Sequence, residues 1–151
     1  MIQVQTIPRN EYPRPQFVRE SWMNLNGWWQ FEYDDRDEGV RNRWYAEAEL
    51  GRKINVPYVY QTKLSGIGDT EFHPIVWYKR TFYIQTNGRN SRWLLNFGAV
   101  DYQADVWVNG AYAGRHQGGH TSFTFDITEL LEDGNNTLTV RAGDEPFNLE
   151  L

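Results

Sequence analysis

Residues 96–127 read NFGAVDYQADVWVNGAYAGRHQGGHTSFTFDI. Within this stretch, residues 103–108 (QADVWV) alternate apolar and polar side chains as a half-buried strand requires, and residues 111–115 form a second short run after Asn109-Gly110. Both central residues of a type I′ turn need φ > 0, which Asn and Gly tolerate best, so Asn-Gly between two such runs predicts a β-hairpin. Alternation puts Tyr102, Ala104, Val106 and Val108 on one face of the first strand and Asp101, Gln103, Asp105 and Trp107 on the other. The second set reads as a polar outer face carrying one aromatic ring.

Outward from the hairpin, the same period recurs. Residues 28–33, 76–84, 92–97, 121–125 and 137–141 are rich in β-branched and aromatic residues and are separated by turn chemistry, and no 3.6-residue periodicity is sustained anywhere. Short strands at regular spacing predict an all-β sandwich. Trp28, Phe31, Val106, Val108, Phe123 and Phe125 are the candidates for its interior. Residues 34–39 carry Asp34, Asp35, Asp37 and Glu38 and read as a solvated charged turn, residues 40–51 as a loop. Asp126 and Glu129 have the spacing of a capping box opening a single turn, with Leu130 and Leu131 tucked under the sheet. Residues 1–20 hold Pro8, Pro13 and Pro15, a pattern that argues against sheet pairing and predicts an extended arm laid over a domain of residues 21–151.

Composition narrows the function classes. A chain of 151 residues is about one domain, too short for a sandwich together with a catalytic barrel of ~250 residues. Fifteen basic residues stand against 20 acidic ones, for a net charge of −5, and the basic residues are scattered, so nucleic acid and anionic membranes are not expected partners. There is no cysteine, hence no disulfide or thiol chemistry. The N-terminal residues lack an apolar signal core and no apolar run is long enough to span a bilayer, which makes a cytoplasmic location the expectation. Aromatics make up 16% of the chain, including 7 Trp; rings fill the space between two sheets and also stack on sugars, so this excess fits a sandwich without assigning a ligand.

Four blocks carry a family resemblance. Leu25-Asn26-Gly27-Trp28-Trp29-Gln30-Phe31, Ile54-Asn55-Val56-Pro57, Val76-Trp77-Tyr78-Lys79-Arg80-Thr81-Phe82 and the 96–127 stretch occur in the order found in the amino-terminal sugar-binding domain of family 2 glycoside hydrolases, the β-galactosidase and β-glucuronidase group. The resemblance covers roughly residues 17–141 and implies a two-sheet antiparallel jelly-roll, galactose-binding-domain-like sandwich. It also implies a β-galactosidase-like parent enzyme in which this domain supports a catalytic barrel, helps shape the sugar site and has the remaining C-terminal domains as its partners. By that resemblance the sandwich ends early at residues 146–151, and uncovered strand edges would favour self-association.

Retaining glycosidases use two carboxylates about 5 Å apart. The resemblance places both on the barrel, so no catalytic residue is expected in this chain. No cofactor is expected, and no metal: His116 and His120 are one helical turn apart in number, but Gly118-Gly119 between them excludes a helix and no third ligand accompanies them. The loop of residues 65–74 is glycine-rich at one end and polar at the other, and reads as a mobile connection presenting Asp69, Glu71 and His73 to a sugar. On this reading neutral His73 donates and accepts with sugar hydroxyls, and His73→Ala weakens catalysis while leaving stability nearly unchanged. Trp107 is the best stacking candidate on the strands. Two other classes remain open: a free carbohydrate-binding module with a row of exposed rings, and a protein-interaction sandwich with a large apolar patch.

Overall fold

The computed structural model describes residues 2–8, 21–46, 48–57, 59–85, 91–98, 103–118 and 122–143. Among the described residues, ten strands form two antiparallel sheets: β1 (Ile2–Pro8), β2 (Ser21–Asn24), β3 (Gly27–Tyr33), β4 (Arg52–Val56), β5 (Ile75–Ile84), β6 (Ser91–Phe97), β7 (Gln103–Val108), β8 (Ala111–Gln117), β9 (Phe123–Asp126) and β10 (Gly134–Gly143). Their order is β2-β1-β6-β9 in the smaller sheet and β4-β3-β5-β10-β7-β8 in the larger. Lys63–Ser65 and Thr128–Leu130 are single 3₁₀ turns, and among the described residues no helix is long and apolar enough to cross a membrane. The expected all-β two-sheet sandwich is what the chain forms.

The hairpin joins β7 to β8 as the Asn-Gly pair predicts. Asn109 has φ 52° and Gly110 φ 80°, the left-handed values that a type I′ turn demands. Asn109 also ties the turn down: Oδ1 accepts from Thr137 N at 2.9 Å, and Nδ2 donates to Leu130 O at 2.9 Å and Asn136 Oδ1 at 2.8 Å. A bulge between Val106 and Trp107 then shifts the register. Opposite it, Gly114 has φ 154°, and a Cβ there would lie 2.6 Å from the Phe125 ring.

The main core lies between the sheets. Trp29, Phe31, Ile54, Phe82, Val106, Val108, Leu138 and Val140 come from the larger sheet, and Val4, Leu95, Phe97 and Phe123 from the smaller. Phe31, Val106, Val108 and Phe123 are buried as expected, and Phe125 is partly buried. Trp28 is not a core residue: it is 60% exposed, and Trp29 takes the interior position with its indole donating to Leu25 O at 2.7 Å. Alternation required this, since Trp28 and Phe31 cannot share a face while Trp29 and Phe31 do.

Residues 2–8 do not behave as an unpaired arm. They form β1, hydrogen-bonded to both β2 and β6, with Pro8 at the strand end where its missing N–H costs least. Pro13 and Pro15 lie outside the described residues, as do Asp101, Tyr102, Gly119, His120 and residues 144–151. The capping box differs from its expected form. Asp126 Oδ1 accepts from the backbone and hydroxyl of Thr128 at 3.1 and 2.6 Å, but Ile127 is the N-cap and no side chain caps the turn. Leu130 and Leu131 pack against the core as expected.

A second core covers the outer face of the larger sheet. Residues 34–50 fold back so that Val40 and Leu50, with Trp44 and Tyr45, pack on Ile75, Trp77 and Trp107. Asp34 anchors this cover and is buried, not a solvated tip. Its carboxylate accepts from Glu38 N at 2.7 Å, Gly39 N at 2.9 Å and Trp77 Nε1 at 2.8 Å. Lys79 reaches up from β5 and donates to the carbonyls of Trp44, Ala46 and Ala48, which satisfies an ammonium whose burial pulls its pKa down.

Candidate functional site

The 57–74 connection between β4 and β5 is closed on itself. Thr62 N donates to Val59 O, Gly66 N to Lys63 O, Gly68 N to Thr62 O and Asp69 N to Tyr60 O, all at 3.0–3.1 Å, and Ser65 Oγ donates to Thr62 O at 2.7 Å. The Tyr60 hydroxyl accepts from His73 N at 2.8 Å and donates to His73 O at 3.3 Å. The open connection that its glycines suggest is thus a hydrogen-bonded lobe. Gly66 is part of the reason: at φ 88° it closes the 3₁₀ turn, and a Cβ there would meet the Trp28 ring at 2.8 Å.

At the end of this lobe Asp69 and His73 meet two residues of β3 and its following turn. His73 Nδ1 lies 2.8 and 3.0 Å from the two oxygens of Asp35, and Nε2 lies 3.0 Å from Asp69 Oδ2. Tyr33 stacks on the imidazole with centroids 3.6 Å apart, and its hydroxyl donates to the same Asp69 oxygen at 2.9 Å. Tyr60 packs edge-on against His73, and the Arg52 guanidinium sits 4.7 Å from the centre of the Tyr33 ring. The His73 side chain is only 10% exposed.

Each group's acidity follows from this arrangement. Burial opposes charge on His73, but the hydrogen bonds and charges of Asp35 and Asp69 outweigh it and raise the imidazole above its ordinary 6.5. The Asp69 carboxyl is held below the usual range, first by the Glu71 backbone N–H at 2.9 Å and then by Tyr33 and His73. The Tyr33 hydroxyl is pushed up to about 12, by burial first and then by its bond to Asp69.

Asp69, Glu71 and His73 place their donor atoms within 4.8 Å of one another. The geometry is that of an ion-pair cluster. Nε2 already lies at hydrogen-bond distance from Asp69 Oδ2 and Tyr33 donates to the same oxygen, so an ion would have to displace those bonds. Of the three residues read from the sequence as a sugar-facing set, the structure commits Asp69 and His73 to each other and leaves Glu71 exposed. Neutral His73, free to donate and accept, is replaced by an imidazole engaged at both nitrogens and on one face. Tyr33 and Asp35 were missed; the one signal available was an aromatic-acid pair ending a strand, which local reading assigns to an ordinary turn.

Trp107 is not a stacking platform. It is 4% exposed, with Tyr45 stacked 5.1 Å from it and Trp77 stacked 5.2 Å from it, because the face read as outer carries the second core. Asp105 on the same face is fully buried, accepting from Tyr112 Oη at 2.6 Å, Arg115 Nε at 2.8 Å and Gln103 Nε2 at 3.0 Å. His116 stacks on Phe123 at 4.2 Å.

Comparison with known proteins agrees with this architecture. The family described as glycosyl hydrolases family 2, sugar binding domain, matches residues 22–147. The β-glucuronidase of Felis catus is 32% identical over 151 residues, which cover 85% of this chain and 23% of that protein. The β-glucuronidase of Bacteroides fragilis is 31% identical over 125 residues, covering 78% of this chain and 16% of that protein. Among solved structures, the Lactobacillus rhamnosus β-glucuronidase superposes with a TM-score of 0.72 at 29% identity, covering 83% of this chain and 21% of that one. An uncultured Clostridium β-glucuronidase gives 0.68 at 32% identity, covering 80% and 22%. This chain belongs to the sugar-binding domain family of the family 2 glycosyl hydrolases, and it spans about a fifth of the length of these relatives.

Proposed function

We propose that this sugar-binding domain serves a whole protein that hydrolyses β-glucuronides by the retaining mechanism, in which it supports the catalytic domain and borders the sugar site. The observation that carries the reading is the match over residues 22–147 together with β-glucuronidase relatives at 31–32% identity. These relatives turn the β-galactosidase-like expectation toward a uronic acid substrate. Carbohydrate is the expected ligand, and the other domains of the same protein are the expected partners.

Within this domain, Glu71 is the group best placed to reach a sugar hydroxyl. Its carboxylate is exposed, while its backbone N–H is held by Asp69 Oδ1 at 2.9 Å, so it is presented from an anchored stretch. His73 and Asp69 then act as positioning residues. Catalysis itself needs a carboxylate pair in an enclosing site; Asp35 and Asp69 both face His73 and are not free to serve as one.

The test is hydrolysis of 4-nitrophenyl β-glucuronide and β-galactoside by the whole protein and by this chain alone. The reading expects turnover of the glucuronide by the whole protein only. Preference for the galactoside would redirect the substrate, and absence of turnover with either by the whole protein would remove the glycosidase reading.

A second reading, a free carbohydrate-binding module, draws on Trp28 and Tyr83. These rings are 60% and 56% exposed and alternation puts both on the outer face of the larger sheet, beyond the cover of residues 34–50. Calorimetric binding of oligosaccharides to the chain alone, lost in Trp28→Ala, would favour it.

A further inference from the structure

His73 makes more hydrogen bonds to anions than a neutral imidazole can supply. Nδ1 faces Asp35 at 2.8 and 3.0 Å and Nε2 faces Asp69 at 3.0 Å. A neutral ring has one N–H and one lone pair, so either tautomer would aim a lone pair at a carboxylate at hydrogen-bond distance; the imidazolium alone donates at both ends. The two carboxylates also differ in what they join. Asp69 is on the same lobe as His73, four residues away, whereas Asp35 lies 38 residues earlier in the turn after β3.

We propose that His73 is a proton-operated latch: protonated, it fastens the 69–74 stretch to the Asp35 turn, and on losing its proton it keeps Asp69 and releases Asp35. The choice of which bond breaks follows from the surroundings. Asp69 is 29% exposed and keeps the Tyr33 hydroxyl and the Glu71 N–H as donors, while Asp35 is 55% exposed and is readily solvated by water once released. The neutral ring therefore retains its proton on Nε2. What the latch controls is the stretch bearing Glu71 and Phe72, the latter 69% exposed.

Among the described residues, each charged or aromatic group facing the imidazole has a defined part. Asp35, Asp69 and the Glu71 carboxylate within 4.8 Å of Asp69 and His73 favour the charged ring. Burial beneath Tyr33 and Tyr60 opposes it, and so does Arg52, whose charge is partly met by Glu32 at 3.1 Å. The two carboxylates at contact distance prevail, in line with the raised pKa of His73. The latch is separate from the sugar-site reading, and its test uses no substrate.

The test is backbone hydrogen exchange of residues 60–75, followed by mass spectrometry of the full chain from pH 5.5 to 9 and corrected for the intrinsic pH dependence of amide exchange, together with a nitrogen NMR titration of the His73 ring. The expected result is a several-fold loss of protection that follows the His73 titration, with the Nε2–H tautomer above it. Neither Asp35→Asn nor His73→Gln should show that pH dependence; Asp35 is half exposed, so its variant keeps the test open if His73→Gln fails to fold. Protection that is unchanged through the His73 titration, an Nδ1–H neutral tautomer, or pH-dependent loosening that persists in Asp35→Asn would overturn the latch.

Discussion

Tyr33 lies flat on His73, their ring centres 3.6 Å apart and their planes 16° from parallel, and its hydroxyl shares the Asp69 oxygen that faces His73 Nε2. One strand end thereby grips a lobe whose residues are 36 and 40 positions away in the chain. The candidate sugar-facing loop is held in shape by this stack, so Asp69 and His73 hold it while Glu71 and Phe72 are presented outward.

His73→Ala is expected to destabilise the fold by roughly 1–3 kcal/mol, since it removes a largely buried ring from its stack on Tyr33 and takes away the imidazole's hydrogen bonds to Asp35 and Asp69. Chemical denaturation at pH 6 checks this. The earlier expectation of a stability-neutral His73→Ala gives way to this one, because the ring is a structural contact on both nitrogens.

Stability should also fall on both sides of a pH window. His73 is raised in the fold, so its contribution is complete below its unfolded value near 6.5 and is lost as pH rises through the higher folded value. Asp69 is lowered, so its contribution is present above its ordinary 3.8 and is lost as pH falls through the folded value. Melting temperature against pH for the wild type and His73→Gln should separate the two, the variant losing the alkaline limb attributable to His73.

Trp107→Ala should cost roughly 3–5 kcal/mol, as for a large ring removed from a core. Urea denaturation measures it. A stable variant with reduced sugar affinity would instead restore Trp107 as a ligand contact.

Gly39→Ala should cost about 1–3 kcal/mol through overpacking, because its Cβ would stand 2.6 Å from the Trp77 indole. Urea unfolding followed by circular dichroism measures the loss.

Asn109→Ala and Asn109→Gly separate backbone from side chain in the hairpin. Alanine loses the bonds to Thr137, Leu130 and Asn136 and also pays roughly 1–2 kcal/mol for a left-handed backbone. Glycine loses the bonds alone, so Asn109→Gly should be the more stable variant in thermal unfolding.

Short-range rules made much of this protein readable in one dimension. The Asn109-Gly110 turn and the period-2 strands over residues 28–33, 76–84, 92–97 and 103–108 were enough for an all-β sandwich, because turn geometry and side-chain alternation depend only on neighbours in the chain, and the resemblance of four ordered blocks supplied the family. Alternation divides a strand into two faces but carries no information about what covers each. The cover over Trp107 comes from residues 34–50, the strand at residues 2–8 forms because β2 and β6 supply its hydrogen-bond partners, and Tyr33, Asp35, Asp69 and His73 meet across two loops. Those outcomes were decided by the tertiary structure, since burial and charge pairing are properties of segments brought together only when the sheets close.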